Sequence, residues 1–568
     1  MNSLVLAGVM LTGYFVAYHT YGKFLARKIF KIDPDALCPS SALQDNHDYV
    51  PTDKHILFGH HFTSISGLGP IVGPAIAVIW GWVPAVIWLF FGSIFMGAVH
   101  DFGALVVSLR ASGRSIGDLA ADIVNKRVRT LFLLIIFFEL WLVIAVFAMI
   151  IAILFTIYPI AVFPVWSEIP IALYVGYLIN KKGKDFFRPS IFAVIVMYIT
   201  VVIGAYFPID LSLVFGISPQ SALITWIILV LVFGAWMASI LPVQTLLQPR
   251  DFINSHQLMI AMLLLILGTI VAHPTIVAPA VNLSATGAPS VWPFIFVVVA
   301  CGAISGFHSL VSSGTSSKQC DSESSSLFIG YGSMLMESSL STLVIVSVAA
   351  GIGLGLTDKG GEILTGIAAF NHHYANWDAA AGLGSKLGAF IHGSANMIES
   401  LGLPAKIALA VMSVFIVSFA NTTVDTATRI QAYVIMELSH AYNFKLTKKR
   451  QTATLVTVIT AFILAFYDGS GKGALKLWPL FGSINQLLAG MALLVITIYL
   501  ARRRSGAFYT AIPMVFMIIM TSWAMVLNII KFYSGSEWLL FIIGLSVFIL
   551  QLWMIIEGIA VLRNFHGK

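Results

Sequence analysis

Charge is what this chain has least of: Asp, Glu, Lys and Arg make up 10% of its 568 residues, against about 25% in a soluble domain. A soluble fold of this composition would have almost nothing to put on its surface. With 58% hydrophobic residues, most side chains must face something other than water, and acyl tails meet that need. Cysteine is scarce as well. Cys38, Cys301 and Cys320 form neither a disulfide framework nor a paired metal spacing. Catalytic signatures are missing too. No HExxH zinc motif and no GxSxG elbow occurs. Gly469-Ser470-Gly471-Lys472-Gly473 looks like a phosphate loop only at a glance, because Phe466 stands where its first glycine belongs and Gly473 where Ser or Thr must follow the lysine. It reads as a turn. Direct coupling to ATP therefore has no motif behind it, and no cofactor is expected.

What the chain does have is long apolar runs, and about 20 such residues span a hydrocarbon core of about 30 Å. We read fifteen. The first eight lie near Leu4–Gly22, His61–Trp80, Val83–Leu109, Thr130–Ile157, Val165–Ile179, Pro189–Phe207, Ala222–Leu241 and Phe252–Ala272. The remaining seven lie near Val291–Ser312, Leu327–Leu356, Leu403–Thr423, Gln451–Tyr467, Leu477–Leu500, Thr510–Lys531 and Trp538–Leu562. Placing the N-terminus outside puts 26 of the 32 Lys and Arg on the cytoplasmic side, leaving only Lys359, Lys386, Lys406, Lys472, Lys476 and Lys531 outside. Cytoplasmic loops collect such residues. The net charge of +7 is thus a topology signal, with lipid and not nucleic acid as the partner. The expectation is a multi-pass plasma-membrane protein with its C-terminus in the cytoplasm. No Lys or Arg precedes the first run, whereas Lys23–Lys31 follows it, which favours a retained anchor over a signal peptide.

A few runs are interrupted. His61 to Pro74 holds three glycines and two prolines. Proline removes a helix hydrogen bond and glycine weakens the helix, so this span is expected to be unwound and buried in protein. The seventh is expected to break at Ala238–Gln244 and at Pro249. The ninth runs into the small, polar stretch Ser305–Gln319, suited to close helix contacts or ion coordination. Setting the first span aside, the next ten fall into two groups of five with opposite orientation, each opening with a broken helix. That is the pattern of an inverted-repeat transporter core. The expected fold is all-α, with a 5+5 core, one N-terminal helix and about four C-terminal helices. Its divisions are 1–58, 59–207, 208–424 and 425–568.

Five segments carry a resemblance. Gly59-His60-His61-Phe62-Thr63-Ser64-Ile65-Ser66-Gly67-Leu68-Gly69-Pro70-Ile71-Val72-Gly73-Pro74, Ala98-Val99-His100-Asp101-Phe102-Gly103, Ser305-Gly306-Phe307-His308 through Lys318-Gln319, Val424-Asp425-Thr426-Ala427-Thr428-Arg429, and Leu477-Trp478-Pro479-Leu480-Phe481-Gly482 with Asn485-Gln486 occur in that order. Over about residues 1 to 530 the chain resembles the carbon-starvation protein A (CstA) family of bacterial and archaeal membrane transporters. The resemblance implies a place in the amino acid–polyamine–cation superfamily, with peptides or proton-coupled pyruvate as cargo. It also implies a cation site where the second span crosses the ninth.

Ionisable groups inside spans are functional candidates by default. Asp101, Glu139, Glu337 and His308 are the candidates for a coupling proton, with a helix-end anchor the alternative for Asp101. Asp425 and Arg429 are spaced i, i+4 and can pair on one helix face, as a structural or gating pair. Ser312, Ser313 and the carbonyls near Ser64–Gly67 are candidate cation ligands; the ammonium of Lys318 could replace the ion, and tight packing is the alternative. Substrate is expected against the broken second span, at Ser64, Ser66, Gly67, Leu68 and Gly69, opposite Ser239 and Gln244, with His308 nearby. Bare N–H groups at a half-helix N-terminus suit a carboxylate. The pairs His60-His61 and His372-His373 invite a metal reading. Neighbouring helical residues point about 100° apart, at roughly 3.6 residues per turn, and no Cys or carboxylate cluster completes a site, so no metal is expected.

The resulting expectation is a secondary transporter, not an enzyme. It would use a proton or cation to import short peptides, amino acids or pyruvate. The competing readings are a membrane redox enzyme with His-ligated haem, which a Soret band would reveal, and a channel, whose flux would ignore a proton gradient.

Overall fold

The computed structural model describes residues 2–182, 187–358, 360–469 and 473–566. Lys184, Lys359, Lys472 and Lys568 of the charge tally, and Ser470-Gly471-Lys472 of the expected turn, lie outside the described residues. Those described are almost entirely helical, and twelve helices are long and apolar enough to cross a membrane, thirteen with one bent pair. In chain order the elements that matter are α1 (Ser3–Ile29), α2 (Lys54–Ile65), α3 (Gly69–Trp80), α4 (Trp82–Leu109), α5 (Lys126–Ile157) and α6 (Pro159–Ile179). They continue with α7 (Arg188–Tyr206), α8 (Pro219–Ile240), α9 (Leu247–Ala272), α10 (Val291–Val298), α11 (Gly306–Gly314) and α12 (Glu323–Leu354). After a two-stranded hairpin, Leu356–Thr357 with Ile363–Leu364, come α13 (Leu383–Glu399), α14 (Ala405–Tyr442), α15 (Arg450–Phe466), α16 (Gly473–Arg502), α17 (Phe508–Ser534) and α18 (Trp538–Arg563).

The second span breaks as its composition requires: α2 and α3 meet at Ser66-Gly67-Leu68 with a bend of 50°. Pro70 sits in the first turn of α3, where its missing N–H removes no hydrogen bond. Gly81, at φ +100° between α3 and α4, allows a turn so tight that a Cβ would meet the backbone of Ala280–Val281.

Three spans differ from expectation. Val291–Ser312 is two short helices, α10 and α11, separated by residues 299–305. Gln451–Tyr467 is a helix of only 17 residues. The break expected within the seventh span is the turn between α8 and α9: Ser239 lies in the last turn of α8, Gln244 lies beyond it, and its amide donates to Asn46 O at 2.8 Å. Pro249 falls in the first turn of α9, where it does not break a helix. Small and polar residues near the end of a span thus read like a discontinuity, but mark its exit from lipid. The second discontinuous crossing is the ninth span. In addition, α14 runs unbroken through the boundary drawn at 424/425.

Burial separates a core from a rim. The apolar windows of α12, α14 and α16 are 94%, 89% and 89% buried, those of α1 and α18 only 33% and 28%. The core therefore holds the polar residues, where protein and not lipid can satisfy them.

Candidate functional site

The two broken crossings lie against each other in antiparallel fashion, α2 beside α11 and α3 beside α10. A Cβ on Gly67 would stand 2.5 Å from Thr423 Oγ1, and one on Gly69 would overlap Cys301. Both are close-approach glycines. The freed backbone groups find partners on α12 and α16. Ser341 Oγ donates to Pro70 O at 2.9 Å and Ser338 Oγ to Gly302 O at 2.9 Å. Asn485 Oδ1 accepts from Phe307 N at 2.9 Å and Ser305 Oγ at 3.1 Å, while Gln486 Nε2 donates to Ile304 O at 2.7 Å. The amides of Leu68 and Gly69 carry no such bond among the described residues, and the Ser66 hydroxyl is buried without a partner.

Around these breaks the structure assembles two buried clusters. In the first, His308 of α11 stands between two carboxylates: Nδ1 lies 2.9 Å from Asp101 Oδ2 on α4, and Nε2 lies 3.2 Å from Glu337 Oε2 on α12. His100 Nδ1 lies 2.7 Å from the other oxygen of Asp101. All four are fully buried. Three expected residues, one from each of three distant segments, thus come together in one buried row of titratable side chains.

The second cluster centres on Arg250, one turn into α9 and 1% exposed. It forms an ion pair with Asp425 of α14, and its Nε lies 3.6 Å from Glu168 Oε1 on α6. Asn254 and Ser418 donate to the two oxygens of Glu168 at 2.7 and 3.1 Å. Beside them His60 Nδ1 meets Asp251 Oδ2 at 2.5 Å. The neighbouring His61 turns instead to Ser316 Oγ at 2.7 Å. The two adjacent histidines of α2 therefore serve separate partners.

Several expectations are corrected. Asp425 and Arg429 do not pair. Arg429 reaches Asp48 at 2.9 Å and the carbonyl of Leu241, because Arg250, distant in sequence, already occupies Asp425. Lys318 is not at the crossing either. Its ammonium sits 4.0 Å above the Tyr433 ring, about two helical turns along α14 from Thr426, which marks Ser64 by a 3.2 Å hydroxyl contact. The Ser313 hydroxyl is occupied, donating to Ser309 O at 2.7 Å and accepting from Ile116 N at 3.0 Å. Ser312 remains buried without a hydrogen-bond partner, as does the carboxyl of Glu139, and the structure joins Glu139 to neither cluster. Ser239 and Gln244 belong to the turn between α8 and α9, not to the breaks.

That turn belongs to a third polar group, which sequence reasoning missed. Asp48 accepts from Tyr433 OH at 2.7 Å and pairs with Arg429 and with Arg450 at 3.1 Å, while Arg450 donates to Ser239 O at 2.7 Å. Burial opposes the charge of Asp48, but the hydrogen bond from His47 and the charges of Arg429, Arg450 and Lys318 hold its carboxyl well below the usual range. Arg250, Glu168, Asp48 and Arg450 were legible only as charges near span ends, and nothing in the sequence pairs them.

The chain is similar in sequence to known membrane transporters. The family described as Carbon starvation protein CstA matches residues 2–524. The peptide transporter CstA of Escherichia coli is 30% identical over 92% of this chain and 80% of its own length. That of Helicobacter pylori is 33% identical over 94% and 83%. The pyruvate/proton symporter BtsT of Escherichia coli is 29% identical over 94% and 84%.

Proposed function

Since the chain belongs to the carbon starvation CstA family and is a multi-span membrane transporter, we propose that it is a proton-coupled symporter importing small carboxylate-bearing nutrients. Short peptides, amino acids and pyruvate are the cargo classes, in keeping with the names of its relatives. No chemical conversion accompanies the transfer. The observation that carries the reading is the buried Asp101–His308–Glu337 chain. Ionisable groups inside a membrane are expensive. Three in line, on helices from both broken crossings' surroundings, serve a moving proton better than they serve stability.

The broken second span supplies the substrate contact in this reading: the amides of Leu68 and Gly69 and the hydroxyl of Ser66 lie unpartnered at the N-terminal end of α3, where the helix dipole favours an anion. Residues 59–207 and the stretch from 208 to the end of α14 at Tyr442 form the two halves of the carrier, flanked by 1–58 and by the helices after α14, with the N-terminus outside and the C-terminus in the cytoplasm of a plasma-membrane protein. The charge asymmetry supports that orientation.

The test is uptake into proteoliposomes of labelled pyruvate, amino acids and di- or tripeptides, with and without an imposed pH gradient. Accumulation of at least one of them that requires the gradient is expected. Flux that ignores the gradient and never saturates would sink the symport reading in favour of a channel.

A further inference from the structure

The proton chain leaves the Arg250 cluster without a task. Arginine keeps its charge in proteins and presents paired N–H groups that match a carboxylate. Burying it is costly unless its partners are good. Here the guanidinium is 1% exposed, and Nη1 has no hydrogen-bond partner. Its two carboxylates are held very differently. Glu168 is fixed on both oxygens by the neutral donors Asn254 and Ser418. Asp425 accepts no hydrogen bond from any neutral group and is kept in place by Arg250 alone. The cluster also adjoins the second-span break: the next residue, Thr426, touches Ser64 at 3.2 Å, and Thr423 borders Gly67.

We propose that Arg250 is the binding site for the carboxylate of the transported solute, and that the solute takes the place of Asp425, which leaves the pair by accepting one proton. This rests on the transporter reading above and adds the residue that recognises the cargo and the point where cargo and proton meet. The exchange balances. The Arg250–Asp425 pair plus a solute carboxylate and a proton becomes an Arg250–solute pair plus a neutral Asp425, so the number of buried charges is unchanged. Without the proton, a third carboxylate would enter beside Glu168 and Asp425 with one guanidinium to share. The other charged groups facing the centre are already occupied: His60 from α2 with Asp251 from α9, and Arg429, one turn along α14, with Asp48. Glu168 from α6 stays in place as the fixed counter-charge.

The test uses purified full-length protein and four probes: pyruvate, alanyl-alanine and the neutral amide of each. Titration calorimetry in two buffers of different ionisation heat counts the protons taken up. Wild type should bind at least one carboxylate with uptake of one proton and its amide far more weakly. Asp425→Asn should bind the same carboxylate with no proton uptake. The double variant Arg250→Gln with Asp425→Asn removes the ion pair as a unit and leaves Glu168 held by its neutral donors Asn254 and Ser418. It should lose about a hundredfold in affinity for the carboxylate, the size of one charge-assisted contact, and no longer distinguish it from the amide. Arg250→Lys, which keeps the charge but not the paired donors, should fall in between. The proposal is overturned if the double variant binds the carboxylate as wild type does, if Asp425→Asn still takes up a proton, or if wild type binds neither carboxylate. A wild type that binds with one proton yet accumulates nothing across a gradient overturns symport and leaves the Arg250 site standing.

Discussion

The cluster around His308 contains only groups whose charge a proton can add or remove, whereas the cluster around Arg250 is built on a guanidinium that stays charged. Both are fully buried, and α2 reaches towards each, through His61 to Ser316 and through His60 to Asp251. The difference teaches what each can do. A chain of titratable groups can take any of several protonation states without stranding a charge, so it suits conduction. A fixed cation must always face an anion, so it suits exchange of one anion for another.

The largest effect should come from breaking the fixed pair on one side only. Arg250→Gln strands Asp425 and Glu168, and removing one partner of a buried pair costs about 3–5 kcal/mol. The melting temperature in detergent should fall steeply, and adding Asp425→Asn should recover part of it, the part owed to Asp425 and not to Glu168. If Arg250→Gln melts like wild type, the cluster is wetter than its burial implies and the contrast fails.

Next, Glu337→Gln keeps shape and removes a proton site from the other cluster. We expect gradient-driven accumulation to drop by at least about tenfold, equivalent to 1.4 kcal/mol, with substrate exchange at equal pH retained and little change in melting. Loss of exchange as well would move Glu337 from proton handling to substrate binding.

A smaller effect should separate two adjacent serines of α11. Ser313→Ala removes a hydroxyl that bonds Ile116 N and should destabilise by about 1 kcal/mol. Ser312→Ala removes a hydroxyl without a hydrogen-bond partner and should leave the melting temperature unchanged. Thermal melts of the two single variants decide it.

The smallest response is expected at Asp48. Its carboxyl is depressed in the folded state, so its contribution to stability is complete at every pH above the unfolded value of about 3.9. It is lost only as the pH falls through the folded value. Melting curves of wild type and Asp48→Asn should therefore differ by a constant offset from pH 8 to pH 5. A difference that shrinks within that window would show that the Arg429 and Arg450 contacts do not hold in solution.

The membrane class, most span positions and the second-span break were legible because each depends on a short stretch of chain. Hydropathy is summed over one helix, and Ser66 to Pro70 frees backbone groups wherever it is placed. That Asp101, His308 and Glu337 would need polar company was legible too, since each is an ionisable group within an apolar run. Misreadings arose where local spacing stood in for distance. Asp425 and Arg429 are ideal helix neighbours, yet each prefers a partner from elsewhere. Ser239 and Gln244 had the composition of a break and the position of a turn. Asn485 and Gln486 sit in a quoted motif, but their role of capping the second break was invisible until α16 was seen packed against it.

By itself, then, the sequence determined where most of the chain crosses lipid, that the second crossing cannot be a regular helix, and which side groups are too polar to be there by accident. Tertiary structure alone decided who meets whom. His60 and Asp251 are separated by 191 positions and His308 and Asp101 by 207, and no periodicity reaches across such a gap. The physical reason is that burial within lipid makes every charge seek the nearest compensating group in space, and which group is nearest depends on how the helices pack, not on the order in which they are strung.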